Sequence, residues 1–339
     1  MKKIRIIPLL SIFMLLSCSN DKSLSFENYI VLETIVIVDD LPVRVPGDFI
    51  LTDSCFVVIN PFGSDYALKV YSISTGEFLF DAVKKGNGPH ELAAPSTIHY
   101  YENINVFDVA AQKIVSYDIG RFNQNLIHRE EINLASDLYV EKLLLYDNMK
   151  ALVFSQDMQG LVSALDLNSY ENLSVVANPF SKYDNSEIAH QLNGTIKFDP
   201  GSNFLAFAAY NTPYYSLQKT EIGNFTELAS GFIKEPRYDV TSDNFRWIKE
   251  VTPNGFMDIA LLPGRLFLLH ADISLQDAEN RSIEAIPDII YELDFKGRLV
   301  THYTLDRRVL RLASDKNGKL YGIALDQQDD KFKIVELPV

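Results

Sequence analysis

Val70-Tyr71-Ser72-Ile73-Ser74-Thr75-Gly76-Glu77-Phe78-Leu79 holds the pattern on which the fold turns. An apolar run rich in β-formers ends, a short polar turn carries a glycine, and a second apolar run follows. Tyr291-Glu292-Leu293-Asp294-Phe295-Lys296-Gly297-Arg298-Leu299-Val300 repeats it. Ser314-Asp315-Lys316-Asn317-Gly318-Lys319-Leu320-Tyr321 is a tighter copy, and Val106-Phe107-Asp108 to Ile114-Val115-Ser116-Tyr117-Asp118 repeats it without the glycine. Asp, Asn and Gly suit such turns because they tolerate positive φ or hydrogen-bond their own backbone. Each copy reads as one β-hairpin.

The rest of the chain has the same texture. Short runs of Val, Ile, Phe and Tyr recur at 29–38, 56–60, 68–73, 104–108, 138–145, 204–209, 266–270, 289–293 and 320–324, split by Gly, Asn, Asp and Pro. Roughly two dozen such runs, with few long helical periods, predict an all-β fold: a sandwich, a barrel or a propeller. Degenerate hairpins repeated along 339 residues favour radial repetition, a β-propeller of four-stranded antiparallel blades. The 322 residues after position 17 would give six blades of about 54 residues each or seven of about 46, and known repeats of roughly 40–50 slightly favour seven on arithmetic alone. The polar stretches 180–191, 234–254 and 272–288 read as insertions. No Pro-, Gly- or Ser-rich linker divides the chain, so 26–339 is taken as a single domain. The run at 29–38 and the last run, 332–337, are expected to close one blade together, which removes exposed strand edges.

The N-terminus carries a different message. Lys2, Lys3 and Arg5 precede the apolar run 6–16 and then Ser17-Cys18. A basic region before a short apolar region is an export signal. The run is about half the roughly 20 residues that a spanning helix needs, so residues 1–17 read as a removed signal peptide. Leu15-Leu16-Ser17-Cys18 resembles the bacterial lipobox, which makes Cys18 the lipidated first residue of the mature chain. Residues 18–25 then form the lipidated Cys and a polar tether. One acyl chain anchors only marginally. The resemblance implies three, and hence a firm anchor. Ser19 behind the Cys points to delivery to the outer membrane, with the face left open.

The net charge is −14, and loss of the three basic leader residues takes it to about −17, which repels phosphate backbones. No nucleic-acid partner is expected, and the membrane is met through the lipid anchor only. The second of the two cysteines, Cys55, sits in the apolar run Cys55-Phe56-Val57-Val58-Ile59 and reads as a buried, inert thiol.

Lys85-Gly86-Asn87-Gly88-Pro89-His90-Glu91-Leu92 is similar to the Gly-x-Gly-Pro-Gly-Glu turn of the TolB-like six-bladed β-propeller lipoproteins. That family is large, mostly uncharacterised and found in Gram-negative gut bacteria. Here His90 stands in place of the usual glycine. Asn105-Val106-Phe107-Asp108 with Lys113-Ile114-Val115-Ser116-Tyr117-Asp118 resembles the strand pair that follows in the family. Ile290-Tyr291-Glu292-Leu293-Asp294, Leu305-Asp306 and Lys319-Leu320-Tyr321-Gly322-Ile323-Ala324 fall in order near the C-terminus. The resemblance favours six blades over seven, and it carries no catalytic motif and no cofactor.

Candidate site residues are few. The turn Gly86, Gly88 and Pro89 could bring backbone amides to an anion, but it lacks the Lys-Ser/Thr pair of a phosphate loop. A blade-connecting turn whose Glu91 caps nearby amides is the plainer reading. His90 and Glu91, adjacent in this turn, are the candidate ligand-binding pair. The six histidines are dispersed without HExxH or CxxC spacing, so no sequence-local metal site is visible. His128 reads as part of a solvated strand. Arg246 and Trp247, with the only Trp of the chain, could stack on a sugar, although a core Trp between blades is the simpler expectation. Asp39-Asp40 and Asp329-Asp330 read as solvated turns.

Neither a Gly-x-Ser-x-Gly elbow nor a sialidase-type Asp box is present. Two functions stay open. One is a binding or scaffold module of the cell envelope, with a protein or glycan as partner. The other is an envelope glycan-processing enzyme, a hydrolase or lyase with its site in the central funnel. Asp, Glu, His and Arg on the inner strands of three or more blades would favour the enzyme, and a funnel of Leu, Phe and Ser would exclude it.

Overall fold

Cys55–Ile59 is buried along its whole length, as a strand must be when both faces of its sheet are covered. Its odd residues Cys55, Val57 and Ile59 join one apolar cluster. The even residues Phe56 and Val58 join another. The strand is second in an antiparallel sheet ordered Phe49–Leu51, Cys55–Ile59, Tyr66–Ser72 and Phe78–Lys84. This sheet is a propeller blade, and its two faces feed two different inter-blade cores.

The structure is a computed structural model that describes residues 24–120, 125–136, 138–154, 160–180, 192–221, 224–241, 244–280 and 283–339. Cys18, residues 1–17 that read as a signal peptide, and residues 19–23 of the expected tether lie outside the described residues.

There are six blades, not seven. The first covers 49–84, the second 95–133, the third 142–176, the fourth 194–232 and the fifth 256–305; the sixth combines 308–337 with Ile35–Leu41. Their inner strands are Phe49–Leu51, Pro95–Tyr101, Lys142–Asp147, Gly194–Asp199, Phe256–Leu262 and Arg308–Ser314. These touch in that cyclic order around one axis, the sixth returning to the first.

Six apolar clusters fill the six gaps between blades. Val57 and Val106 meet between blades one and two, and Phe107 and Val153 between two and three. Phe154 and Phe207 meet between three and four, and Leu217 and Leu268 between four and five. Phe267 and Val335 meet between five and six, and Ile334 and Phe56 between six and one. The period of two along a strand explains this division, because a one-residue slip would exchange the two faces. Outer strands lose the pattern: Asn172–Val176 is exposed over its first three residues.

Ring closure differs from the expected single strand at 29–38. The chain breaks at Glu33-Thr34, and the run becomes two strands on two blades. Ile35–Leu41 pairs antiparallel with Lys331–Leu337 and closes blade six. Asn28–Leu32 pairs parallel with Leu299–Leu305 and adds a fifth strand to blade five. Asp306 marks the break, its Oδ1 accepting the Thr34 N–H at 3.0 Å.

Two of the expected insertions carry secondary structure among their described residues. The stretch 272–288 holds a short helix, Leu275–Glu279, N-capped by Ser274, and a 3-10 turn, Ile283–Ala285. The stretch 234–254 holds a hairpin of Tyr238–Thr241 with Asn244–Trp247. The third, 180–191, lies outside the described residues beyond Phe180. The turn glycines behave as read: Gly76, Gly297 and Gly318 all have positive φ. At Gly76 a Cβ would also meet the Ile37 carbonyl oxygen at 1.9 Å, so this turn must be bare for the closing strand to pass.

Candidate functional site

Every blade brings a polar or ionisable side chain towards the axis. Asp48 precedes the first inner strand, and His99, Lys142, Lys197, Asp258 and Arg311 lie on the next five. The Lys197 Nζ donates to Asp48 Oδ1 at 2.6 Å and stands 3.9 Å from Asp258 Oδ1. Blades one and four face each other in a ring of six, so the Asp48–Lys197 bridge crosses the axis.

Asp258 is buried and fully engaged. It accepts N–H groups from Leu312 at 2.8 Å and Ile259 at 2.9 Å, and the Thr195 hydroxyl at 3.3 Å. One carboxylate thus ties blades four, five and six. Burial raises the Asp258 carboxyl above its ordinary range against the pull of Lys197. Burial also works to lower the Lys197 ammonium, but Asp258 and Asp48 outweigh it and hold it above its ordinary value.

His99 joins blades two and three. Its Nε2 accepts the Leu145 N–H at 2.8 Å, which places the proton on Nδ1, an atom sealed from solvent without a hydrogen-bond partner. Burial pushes this imidazole from 6.5 down to about 3. A folded value below the unfolded one means that the unfolded chain binds the extra proton, so His99 contributes stability above pH 6.5 that is lost as the pH falls towards 3. The slope is at most about 1.4 kcal/mol per pH unit. We expect His99→Gln to flatten the pH dependence of the urea midpoint across that window. An unchanged slope would remove His99 from the account of acid stability.

Above the cross-axis bridge is a cavity of about 200 Å³ lined by Asp48, Thr97, Lys142, Thr195, Tyr210 and Arg311 among others. Tyr210, Met257 and Arg311 also line a second cavity of about 350 Å³, whose other walls include Asn211, Asn254, Leu275, Ala278 and Glu279. The helix Leu275–Glu279, inserted in blade five, therefore forms one wall of this second cavity. Lys142 Nζ bonds to the Gly194 carbonyl at 2.5 Å and to the Tyr210 hydroxyl. The Arg311 guanidinium donates to the Leu310 carbonyl at 2.9 Å and faces both cavities.

Three of the inner strands carry a register shift beside these cavities. The shifts fall between Pro95 and Thr97, between Phe256 and Asp258, and between Val309 and Arg311. A bulge re-aims the side chains next to it, and bulges concentrate beside binding sites. Here they re-aim Thr97, Asp258 and Arg311 at the cavity.

The residues singled out from sequence lie elsewhere. Glu91 caps its own turn, its Oε2 accepting the Gly88 N–H at 2.9 Å. It sits against Gly86 so closely that a Cβ there would meet that oxygen at 2.2 Å. His90 has φ +61° and lies over His128, with ring centroids 3.6 Å apart. His128 is thus half-buried against a loop and not on a fully solvated strand. Trp247 is buried with Phe180, Tyr238 and Phe245 in an aromatic cluster. Arg246 points the other way, 79% exposed, with Asp239 at 3.6 Å. Adjacent strand residues face opposite sides, so Arg246 and Trp247 do not share a site. Cys55 is buried and free, and burial raises its thiol. Asp329-Asp330 is a turn as read, but Asp39-Asp40 lies inside the closing strand Ile35–Leu41 instead of a turn; both pairs meet lysines, Lys331 with Asp40 and Lys333 with Asp39 and Asp329.

A family model described as a 6-bladed β-propeller, DUF5128, matches residues 12–251, more than half of the chain. The chain belongs to the DUF5128 family. Solved structures agree with this fold. A DUF4221 family member from Bacteroides vulgatus ATCC 8482 is 10% identical over 90% of this chain and 95% of its own, with a TM-score of 0.57. A protein from Bacteroides fragilis NCTC 9343, provisionally named as exported, is 12% identical over 93% and 99%, with a TM-score of 0.55. One from Bacteroides uniformis ATCC 8492, provisionally named a 6-phosphogluconolactonase, is 10% identical over 88% and 82%, with a TM-score of 0.51. At these identities the likeness to the DUF5128 chain is one of fold. No curated protein matches the sequence.

Proposed function

We propose that this DUF5128 propeller is a lipid-anchored, TolB-like envelope protein that binds a glycan at the mouth of its central channel. The observation that carries the reading is the ring of ionisable side chains on or beside the six inner strands, of which Asp48, Lys142, Asp258 and Arg311 line a cavity that shares Tyr210, Met257 and Arg311 with a partly apolar cleft. Amides at Asn211 and Asn254, the Tyr210 ring and the Arg311 guanidinium supply the mixture of donors and flat surface that suits a sugar. Arg311 favours a carboxylate-bearing sugar, because its planar fork matches a carboxylate with two parallel bonds. The leader with Lys2, Lys3 and Arg5, ending at Ser17-Cys18, supports export and lipidation at Cys18, with outer-membrane delivery read from Ser19.

The glycan-processing alternative has His99, Asp258 and Arg311 on the inner strands of three blades in its favour, and glycoside hydrolysis uses two carboxylates. Asp48 and Asp258 are both held by Lys197, and Asp258 is saturated with donors. That engagement favours binding over turnover.

The test is a thermal-shift series on the full-length protein in detergent, with neutral and uronic-acid oligosaccharides. A ligand at one hundred times its Kd stabilises by about 2.7 kcal/mol. Acidic oligosaccharides are expected to raise the melting midpoint of the parent and not of Arg311→Ala. An equal response in both proteins, or none from any oligosaccharide, rejects the site. Release of reducing ends during the assay would decide for the enzyme, and a protein recovered by crosslinking in the native cell would replace the glycan as partner.

A further inference from the structure

We propose that His90, His128 and Glu131 bind a divalent transition-metal ion of the zinc type. One donor atom from each lies within 4.8 Å of the other two. The site is on the outer strand of blade two, Leu126–Asn133, under the loop that enters this blade, away from the inner strands of the channel.

The backbone places the donors by three devices. In a regular strand, residues 128 and 131 would face opposite sides. A register shift between His128 and Glu130 pairs His128 with Tyr117 and Glu131 with Val115, so both turn to one face. The third donor comes from the turn that Glu91 caps. His90 is held there at φ +61°, a conformation that costs a non-glycine residue free energy and concentrates at functional positions. The buried Tyr117 fixes the arrangement, its hydroxyl donating to the His90 carbonyl at 3.0 Å while its ring meets His128 edge-on.

The imidazole of His128 is already oriented as a ligand. It hydrogen-bonds to the Glu130 backbone, while its Nε2 is sealed from solvent with no hydrogen-bond partner. Ligating histidines typically donate one ring N–H to a carbonyl and turn the other nitrogen's lone pair to the metal. His90 lies over that ring and is 54% exposed, with Nδ1 3.9 Å from Glu131 Oε2. Two nitrogens on a tetrahedral zinc at 2.0–2.1 Å would be about 3.3 Å apart. A small rotation of the exposed His90 side chain closes the set. Two imidazoles with one carboxylate suit zinc and its transition-metal neighbours, whereas magnesium and calcium prefer oxygen donors. Three protein donors leave a coordination position free for water or a ligand group.

Lys113 opposes the ion. Its Nζ is 3.2 Å from Glu131 Oε2 and nearly buried, so it neutralises the carboxylate and competes for it. The experiment is titration of metal-free, full-length protein in detergent with Zn²⁺ by calorimetry, and with Co²⁺ by visible absorption. The parent is expected to bind one ion and to give a cobalt spectrum with nitrogen ligation. His128→Ala should abolish that spectrum. His90→Gly should weaken binding by at least about tenfold while the melting midpoint holds or rises, because glycine relaxes the positive φ. Lys113→Met should tighten binding. A parent that binds no ion at micromolar concentration overturns the proposal. So does binding that survives in the His90→Gly, His128→Ala double variant, and so does weaker binding in Lys113→Met.

Discussion

Phe56→Ala is expected to lower unfolding stability by about 3–5 kcal/mol, read as a fall in the urea midpoint with little change in slope. Phe56 is completely buried and meets Tyr321 edge-on across the gap between blades six and one, with ring centroids 5.4 Å apart. It belongs to the cluster that the closing strand completes through Val38 and Leu41. Truncation there leaves a cavity between rigid sheets that cannot collapse onto it. Phe62→Ala is the control. Phe62 is 59% exposed, and its loss should stay within about 0.5 kcal/mol. A small effect at Phe56 would mean that the sixth blade does not depend on this contact.

The second large effect lies on the axis. Lys197→Met should cost about 3–5 kcal/mol at neutral pH, because it leaves Asp48 and Asp258 without their shared cation. The gap between variant and parent should narrow on acidification. Without Lys197 the Asp258 carboxyl, already raised by burial, rises further. A folded value above the unfolded one stabilises below the unfolded pKa and loses that contribution as the pH climbs through the folded value. The variant should therefore suffer most at pH 8 and least near pH 4. A gap that is flat with pH would show that the loss comes from packing of the lysine stem.

Much of the fold is legible in the sequence because hairpin chemistry is local. Gly76, Gly297 and Gly318 announce turns that the structure forms with positive φ, and the run 55–59 announces a strand covered on both faces. The break at Glu33-Thr34 is not legible, since 29–38 reads as one apolar run and two distant residues, Asp306 and Arg307, hold Thr34 at the change of blade. The site is less legible still. Lys197 and Asp258 each interrupt an apolar stretch, Thr195-Ile196-Lys197-Phe198 and Phe256-Met257-Asp258-Ile259, and that interruption was the available signal. What joins Lys197 to Asp48 is a ring in which blades four and one are far apart in sequence and opposite in space. Trp247 drew attention as a rare aromatic, yet the strand alternation that buries it also separates it from Arg246. His90 and His128 look dispersed because a bulge and a loop, not spacing, unite them.

The split N-terminal segment also sets a clock. Blades one to four, and the first four strands of blade five, pair strands that follow one another in the chain. Asn28–Leu32 and Ile35–Leu41 must wait for partners at 299–305 and 331–337. Bringing such distant ends together costs little more than a shorter closure, since doubling a loop adds only about 0.6 kcal/mol, but non-local pairing slows folding. A chain that emerges N-terminus first keeps its first two strands unpaired until almost all of it has been made. Any product that stops short of residue 331 is an open arc, with only the hairpin 308–326 in place of blade six and no partner for Ile35–Leu41. Completion of the last strand is the event that turns a string of hairpins into a ring.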